Sequence, residues 1–257
     1  MQRARPDASC WLIMYNACVV VPVFNHEQAL VHVVAALGKA KLPCILVNDG
    51  SSPACTAVIE KLAEQADCYA VHLLQNQGKG GAVMAGLREA QMLGFTHALQ
   101  VDADGQHNLD DIESFLACSR LHPQAVICGY PVYDASVPKG RLYARYLTHI
   151  WVWINSLSLQ IRDSMCGFRV YPLPSTVELI NRVNLGKRMD FDSEILVRMA
   201  WQNQSMQWLP IRVHYPLGGI SHFRLIHDNL LISKMHAKLF FGMLLRAPLI
   251  AWRRWRQ

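Results

Sequence analysis

Between residues 17 and 130 the chain alternates short apolar runs with longer segments of helical periodicity, and each apolar run stops in a polar or glycine-bearing loop. The runs 17–24, 43–48, 69–74, 96–101 and 125–130 are rich in Val, Ile, Leu and Ala, which suits buried strands. Between the first two, Leu30, Val33, Val34 and Leu37 recur at helical spacing, and helices are likewise expected over 56–65, from 82 through 90, and over 110–121. Strand-helix alternation of this kind specifies an α/β layer architecture with a mainly parallel sheet flanked by helices. Ligands bind such sheets beyond the carboxyl ends of the strands. The loops at 22–27, 49–53, 76–81 and 102–107 all fall at those ends, so one crevice should collect them.

The most chemically loaded of these loops is Val101-Asp102-Ala103-Asp104-Gly105-Gln106-His107. Two carboxylates at i and i+2 past a strand end can converge once the strand stops alternating. Hard oxygen donors with room for water and phosphate suit Mg²⁺ or Mn²⁺. Gln106 and His107 add an amide oxygen and an imidazole. An EF-hand is excluded on two counts: His107 stands at the loop position that demands glycine, and the loop follows a strand. Simple helix capping by these acids is the plainer alternative. The Gly78-Lys79-Gly80-Gly81 turn leads into a helix and can present backbone N–H groups to an anion. It has neither the P-loop nor the dinucleotide spacing.

A chain of 257 residues with 52% hydrophobic and 17% charged residues can bury a substantial core, which excludes disorder. The eight cysteines show no C-x-x-C pair, so they read as reduced core residues of a cytoplasmic protein, with no zinc site. Charge is unevenly placed. From Arg224 onward there are seven cations and one acid, Asp228, so the whole net charge of +6 sits in the tail and the first 223 residues sum to zero. Apolar clumps there alternate with Lys234, Lys238 and Arg246. Pro248 should then break the helix before the closing Trp252-Arg253-Arg254-Trp255-Arg256. The apolar run 239–245 falls far short of the ~20 residues of a transmembrane helix. Basic residues beside tryptophans suit a peripheral contact with an anionic membrane on its inner, cytoplasmic face; packing on the core or in a dimer is the alternative. A neutral body without a nucleic-acid module argues against nucleic acid.

Seven segments match a known pattern in order and spacing: VVVPVFNHE (19–27), VNDGSS (47–52), NQGKGGA (76–82), VDADGQH (101–107), DSMCGFRVY (163–171), FDSEIL (191–196) and GGISHFR (218–224). On these the chain resembles the family 2 glycosyltransferases with the GT-A nucleotide-sugar fold, most closely the dolichyl-phosphate mannose synthase-like branch. The resemblance implies a catalytic domain over 17–222 and a basic amphipathic helical tail over 223–257. It implies that Pro22, Phe24, Asn25, Glu27, Asp49, Lys79, Asp102 and Ala103 line the nucleotide-sugar site. Asp102, Asp104 and Gln106 would hold the metal. Arg169 would offer a planar fork to phosphate, or else pair with Asp163 or Glu194. Asp192 or Glu194 would act as general base if the acceptor is an alcohol, with helix capping and pairing with Arg169 or Arg198 as the plainer alternative, and His222 and Arg224 would stabilise the leaving group. Lys139, Arg141 and Arg145 fall where relatives hold the acceptor phosphate, in the region that departs most from the pattern. Cys166 replaces the commoner serine of its motif.

The implied function is an inverting, metal-dependent glycosyltransferase. It would move one sugar from a UDP- or GDP-linked donor to a lipid-linked acceptor, a polyprenyl phosphate or glycolipid. Three alternatives stand beside it. Transfer to a hydroxyl of a polysaccharide or other small acceptor would need Asp192 or Glu194. A sugar-nucleotide pyrophosphorylase would carry a G-x-G-x-R loop where this chain has Pro22-Val23-Phe24-Asn25. A non-catalytic nucleotide-sugar-binding module would have little reason to keep Asp102, Asp104 and Arg169.

Overall fold

The computed structural model describes residues 14–132, 139–212 and 225–255. Seven strands form one mixed sheet in the order β3-β2-β1-β4-β6-β5-β7. The first half follows the expected alternation: β1 (Ala17–Val23), α1 (Glu27–Lys39), β2 (Cys44–Asn48), α2 (Pro53–Ala63), β3 (Cys68–His72), α3 (Lys79–Met92) and β4 (His97–Gln100), with the four strands parallel. A short 3-10 turn at Leu109–Asp111 leads into α4 (Ile112–Leu121) and β5 (Val126–Val132). Then come α5 (Lys139–Ser156), β6 (Arg169–Pro172), α6 (Leu173–Arg182), α7 (Phe191–Trp201), β7 (Met206–Arg212) and α8 (Leu225–Trp255). β6 runs antiparallel to both β4 and β5, so the sheet is parallel only in its two outer portions. β7 is an edge strand, which accommodates Pro210.

Strand alternation divides the core in two. Val19, Val21 and Val23 of β1 face the layer of α1, α2 and α4, whereas Cys18 and Val20 face α3, α6, α7 and α8. Helix α3 lies close against the sheet because Gly86 has no Cβ. A methyl there would sit 2.4 Å from Val20 Cγ1 and 2.8 Å from Val47 Cγ2.

The C-terminal helix departs from expectation. α8 runs unbroken through Pro248 to Trp255. Met235, Leu239, Met243 and Ile250, on both sides of the proline, are buried in the main core, and this packing holds the helix together where the missing N–H would otherwise end it. Buried His236 meets Asn155 of α5, and the Trp201 indole donates to the Asn155 carbonyl at 2.8 Å. One face of α8 is therefore packed into the main core. The opposite face exposes Ile226, Leu230, Phe241, Leu244, Leu245 and Leu249. Beside it, α5 exposes Tyr146, Leu147, Ile150 and Trp151. Among the described residues no helix is long and apolar enough to cross a membrane.

Candidate active site

The loops after β1, β2 and β3 are stitched to one another by their own polar side chains. Asn25, at φ +55°, receives the Ser52 N–H on its Oδ1 at 2.8 Å and donates its own N–H to Ser51 Oγ at 3.2 Å. Ser52 caps α2 by accepting the Cys55 N–H, and Pro53 occupies the first helical turn, as expected of Ser51-Ser52-Pro53. Asp49, nearly enclosed at 2% exposure, accepts the Gln77 N–H at 2.6 Å and the Gly78 N–H at 2.8 Å. Burial raises its carboxyl above the usual range, against the pull of those two backbone donors. Gly50, at φ +69°, lets the turn pass 2.7 Å from the Asn76 nitrogen, as measured from an ideal Cβ. Pro22, Phe24 and Glu27 are half-buried along the rim of this crevice.

The start of α3 differs from the open anion cradle expected of Gly78-Lys79-Gly80-Gly81. The Gly78 N–H is taken by Asp49, the Gly81 N–H by the Lys187 carbonyl at 2.9 Å, and Gly80 is pressed on Phe191. The functional group it offers is the Lys79 ammonium, which stands between two carboxylates: Asp102 Oδ2 at 2.8 Å and Asp192 Oδ2 at 3.1 Å. Burial disfavours that charge, but the two carboxylates outweigh it and raise the Lys79 pKa above the ordinary lysine value. Asp102 shows the converse. Burial opposes its ionisation, yet Lys79, with His107 Nε2 at 3.5 Å, holds it well below the usual carboxylate range.

Asp192 joins the same cluster. Its Oδ1 lies 3.5 Å from the Gln100 amide nitrogen and 3.6 Å from Arg169 Nη1. Tyr171 donates to Gln100 Oε1 at 3.3 Å. Gln100, Tyr171 and Gly167 are members of the site that residue-type reasoning missed. A Cβ on Gly167 would meet Lys79 Nζ at 2.7 Å, Gln100 Nε2 at 2.8 Å and Asp102 Oδ2 at 3.1 Å, so only glycine admits the polar cluster. The glycine inside Cys166-Gly167-Phe168, just ahead of β6, was the available signal.

Several expected roles change once the side chains are placed. Arg169 is fully enclosed, donating to the Asp192 carbonyl at 2.8 Å and the Ser164 carbonyl at 2.9 Å. It braces α7 against the 163–169 loop, and of the pairings expected for it the one formed is with Asp192, not with Asp163 or Glu194. Glu194 faces away from the crevice, accepting from the Gly186 N–H, Arg198 and Lys238 at 1% exposure of its side chain. Asp163 receives the Arg145 guanidinium fork together with His149 and the Met165 and Cys166 N–H groups. Burial alone would raise the Asp163 carboxyl; these partners bring it down to about 2. The Arg145 fork is thus engaged within the protein. Ala103 is buried in the core at 3% exposure. His222 and Arg224 lie outside the described residues, as do the side chains of Lys139 and Arg141.

The residues present fit a divalent cation whose coordination is completed by phosphate. Asp102 Oδ1 is buried without a hydrogen-bond partner, and Asp104 follows on the same turn, half-exposed, with one oxygen accepting the Gln106 N–H at 3.0 Å. Among the described residues no group of three or more His, Cys, Asp or Glu forms a closed cage. An open two-carboxylate site is what Mg²⁺ or Mn²⁺ bound with a nucleotide requires.

The family model described as glycosyl transferase family 2 matches residues 18–181. The dolichyl-phosphate beta-glucosyltransferase of Drosophila melanogaster is 25% identical over 222 residues, covering 75% of this chain and 67% of that protein. The UDP-N-acetylglucosamine–dolichyl-phosphate N-acetylglucosaminyltransferase of Methanococcus voltae is 24% identical, covering 77% and 85%. In fold, the chain is similar to glucosyl-3-phosphoglycerate synthase from Mycobacterium tuberculosis, solved with Mn²⁺ and uridine-diphosphate-glucose. That match has a TM-score of 0.62 at 14% identity and covers 95% of this chain and 84% of the other. Stitched loops at the strand ends, an acidic turn after β4 and a family match that spans both lead to one assignment: the chain belongs to glycosyltransferase family 2.

Proposed function

We propose that this glycosyltransferase moves a sugar from a UDP- or GDP-linked donor to the phosphate of a polyprenyl phosphate, inverting the anomeric carbon. The observation that carries the acceptor choice is the state of Asp192. Its carboxylate is engaged by Lys79, Gln100 and Arg169, and Glu194 points out of the crevice, so neither is poised to take a proton from an alcohol. A phosphate acceptor is already an anion and needs no base. The names of the two relatives, both dolichyl-phosphate sugar transferases, support the same acceptor class.

In this reading Phe24, Asn25 and Asp49 form the wall against which the base and ribose lie. An acceptor phosphate oxygen attacks the anomeric carbon, the bond from that carbon to the diphosphate oxygen breaks, and the electron pair leaves on the nucleoside diphosphate. No proton transfer is required for balance. Asp102 and Asp104 would hold Mg²⁺ or Mn²⁺, which when bound would supply positive charge against the diphosphate. Lys79 orients Asp102 and adds positive charge at the crevice floor. The catalytic unit is assigned to 17–222. Within the tail assigned to 223–257, α8 contributes its inner face to the core and turns its outer apolar face, with that of α5, toward an anionic membrane surface. The seven free cysteines among the described residues support a reducing compartment and hence the cytoplasmic side. Asp104→Ala, assayed with a donor panel and Mn²⁺, should lose at least about a hundredfold in transfer, the scale for removing one transition-state electrostatic contact. Full activity in that variant would refute the metal assignment.

A further inference from the structure

A second cavity, of about 430 Å³, opens between α6, α7 and α8 and shares no residue with the crevice. It lies at the opposite end of α7: Asp192 is in the first turn of that helix and Trp201 ends it, about 13.5 Å apart at the helical rise. Four arginines, Arg182, Arg198, Arg246 and Arg253, surround it, with Glu178 the one acid in its lining. Arg182 pairs with Glu178 and Arg198 with Glu194. Among the described residues, neither Arg246 nor Arg253 has a carboxylate partner. Arg246 donates to the Gly242 carbonyl at 2.9 Å and Arg253 to the Trp201 carbonyl at 3.0 Å, which fixes both while leaving most of each guanidinium's donors available. The Arg246 and Arg198 guanidiniums lie 4.8 and 5.6 Å from the centre of the Trp201 ring.

Two fixed, uncompensated guanidiniums beside an aromatic wall form a site for a phosphate diester or monoester. The lip of the cavity identifies its carrier. Leu249, at 46% exposure, is in the lining, and Leu245 and Trp252 flank it on the outward face of α8, at 84% and 49%. A soluble anion would have no use for this apolar border, whereas acyl chains would rest on it. We propose that this cavity binds the phosphate-bearing headgroup of an anionic membrane lipid, a tether distinct from the acceptor site. The choice of a lipid over a soluble phosphate rests on the membrane contact proposed above.

The test titrates the full-length protein with a short-chain, monomeric phosphatidylglycerol, with glycerol phosphate and with inorganic phosphate. It also measures co-sedimentation with phosphatidylcholine vesicles with and without phosphatidylglycerol. Saturable one-to-one binding of the short-chain lipid is expected, weakened about tenfold or more in Arg246→Gln/Arg253→Gln, the scale for two cations lost at an anionic surface. Arg182→Gln removes a cavity charge that, among the described residues, is tied only by an exposed pair with Glu178, so it tests the site without disturbing the core and should weaken binding severalfold. Lys234→Gln, on α8 outside the cavity, should leave the short-chain lipid affinity unchanged. Equal binding of glycerol phosphate or inorganic phosphate would overturn the lipid assignment. Vesicle binding that ignores all three arginines would overturn the pocket while leaving the general membrane contact intact.

Discussion

Asp192 and Glu194 stand two positions apart on α7, and a helix turns ~200° over two residues, so their carboxylates leave on opposite sides. Asp192 reaches Lys79 in the crevice; Glu194 meets Arg198 and Lys238 behind it. This division was legible in the spacing once the helix was expected, but which acid faces inward depended on packing of α7 against β6. Glu194→Ala should therefore act on stability: breaking a buried pair costs about 3 kcal/mol, measured by denaturant unfolding, while the folded fraction keeps its turnover. A selective loss of turnover without destabilisation would return Glu194 to catalysis. His236 provides a pH signature. Burial holds its imidazole down to about 4, from an ordinary value near 6.5. As pH falls through that window the unfolded chain binds a proton that the native chain does not, so stability falls toward acid and is flat above the window. The ceiling is about 3 kcal/mol, and His236→Gln should flatten most of the slope; buried His97, also lowered by desolvation, leaves a residue of the same sign. Asp163 acts lower. Its depressed carboxyl contributes stability above the unfolded value near 4 that is lost as pH falls toward about 2.

Helices α3 and α8 show what periodicity conveys and what it leaves out. The start of α3 was visible in its glycines, but their purpose was not: Gly80 and Gly86 serve close packing on Phe191 and on Val20 and Val47, and the expected anion cradle is closed by Asp49 and Lys187. Gly86→Val should overpack the α3–sheet contact and destabilise by about 1–3 kcal/mol, seen as a lower Tm with native-like secondary structure. In α8 the proline suggested a break that tertiary contacts override, since Met243 and Ile250 bury themselves on either side of it. The outward face of the same helix makes the opposite prediction. Leu230→Gln/Leu245→Gln, at 65% and 84% exposure, should leave Tm within about a degree or two yet weaken association with anionic vesicles several-fold. A drop in Tm with unchanged vesicle binding would show that this face packs against protein.

For the molecule as a whole, the parallel β1–β4 half and its crevice were readable because each strand carries its own helix and its loop chemistry in sequence order. The antiparallel β6 was not: Arg169-Val170-Tyr171-Pro172 is too short to show a period, and its place between β4 and β5 follows from long-range pairing. The same limit governed the site. Asp102, Asp104 and Asp49 announced themselves by position in loops, whereas the enclosure of Arg169 and the capture of Arg145 by Asp163 appear only when distant segments meet. Among the described residues, both α7 carboxylates that could serve as a base are engaged by other groups, and that makes the acceptor the central claim. The direct measurement offers the purified enzyme its best donor, from a panel of UDP- and GDP-sugars with Mn²⁺, and compares a polyprenyl phosphate with the polyprenol of the same chain length. The account predicts a sugar phosphodiester from the phosphate and no product from the alcohol. Efficient transfer to the alcohol, abolished by Asp192→Asn, would contradict it and restore Asp192 as a general base.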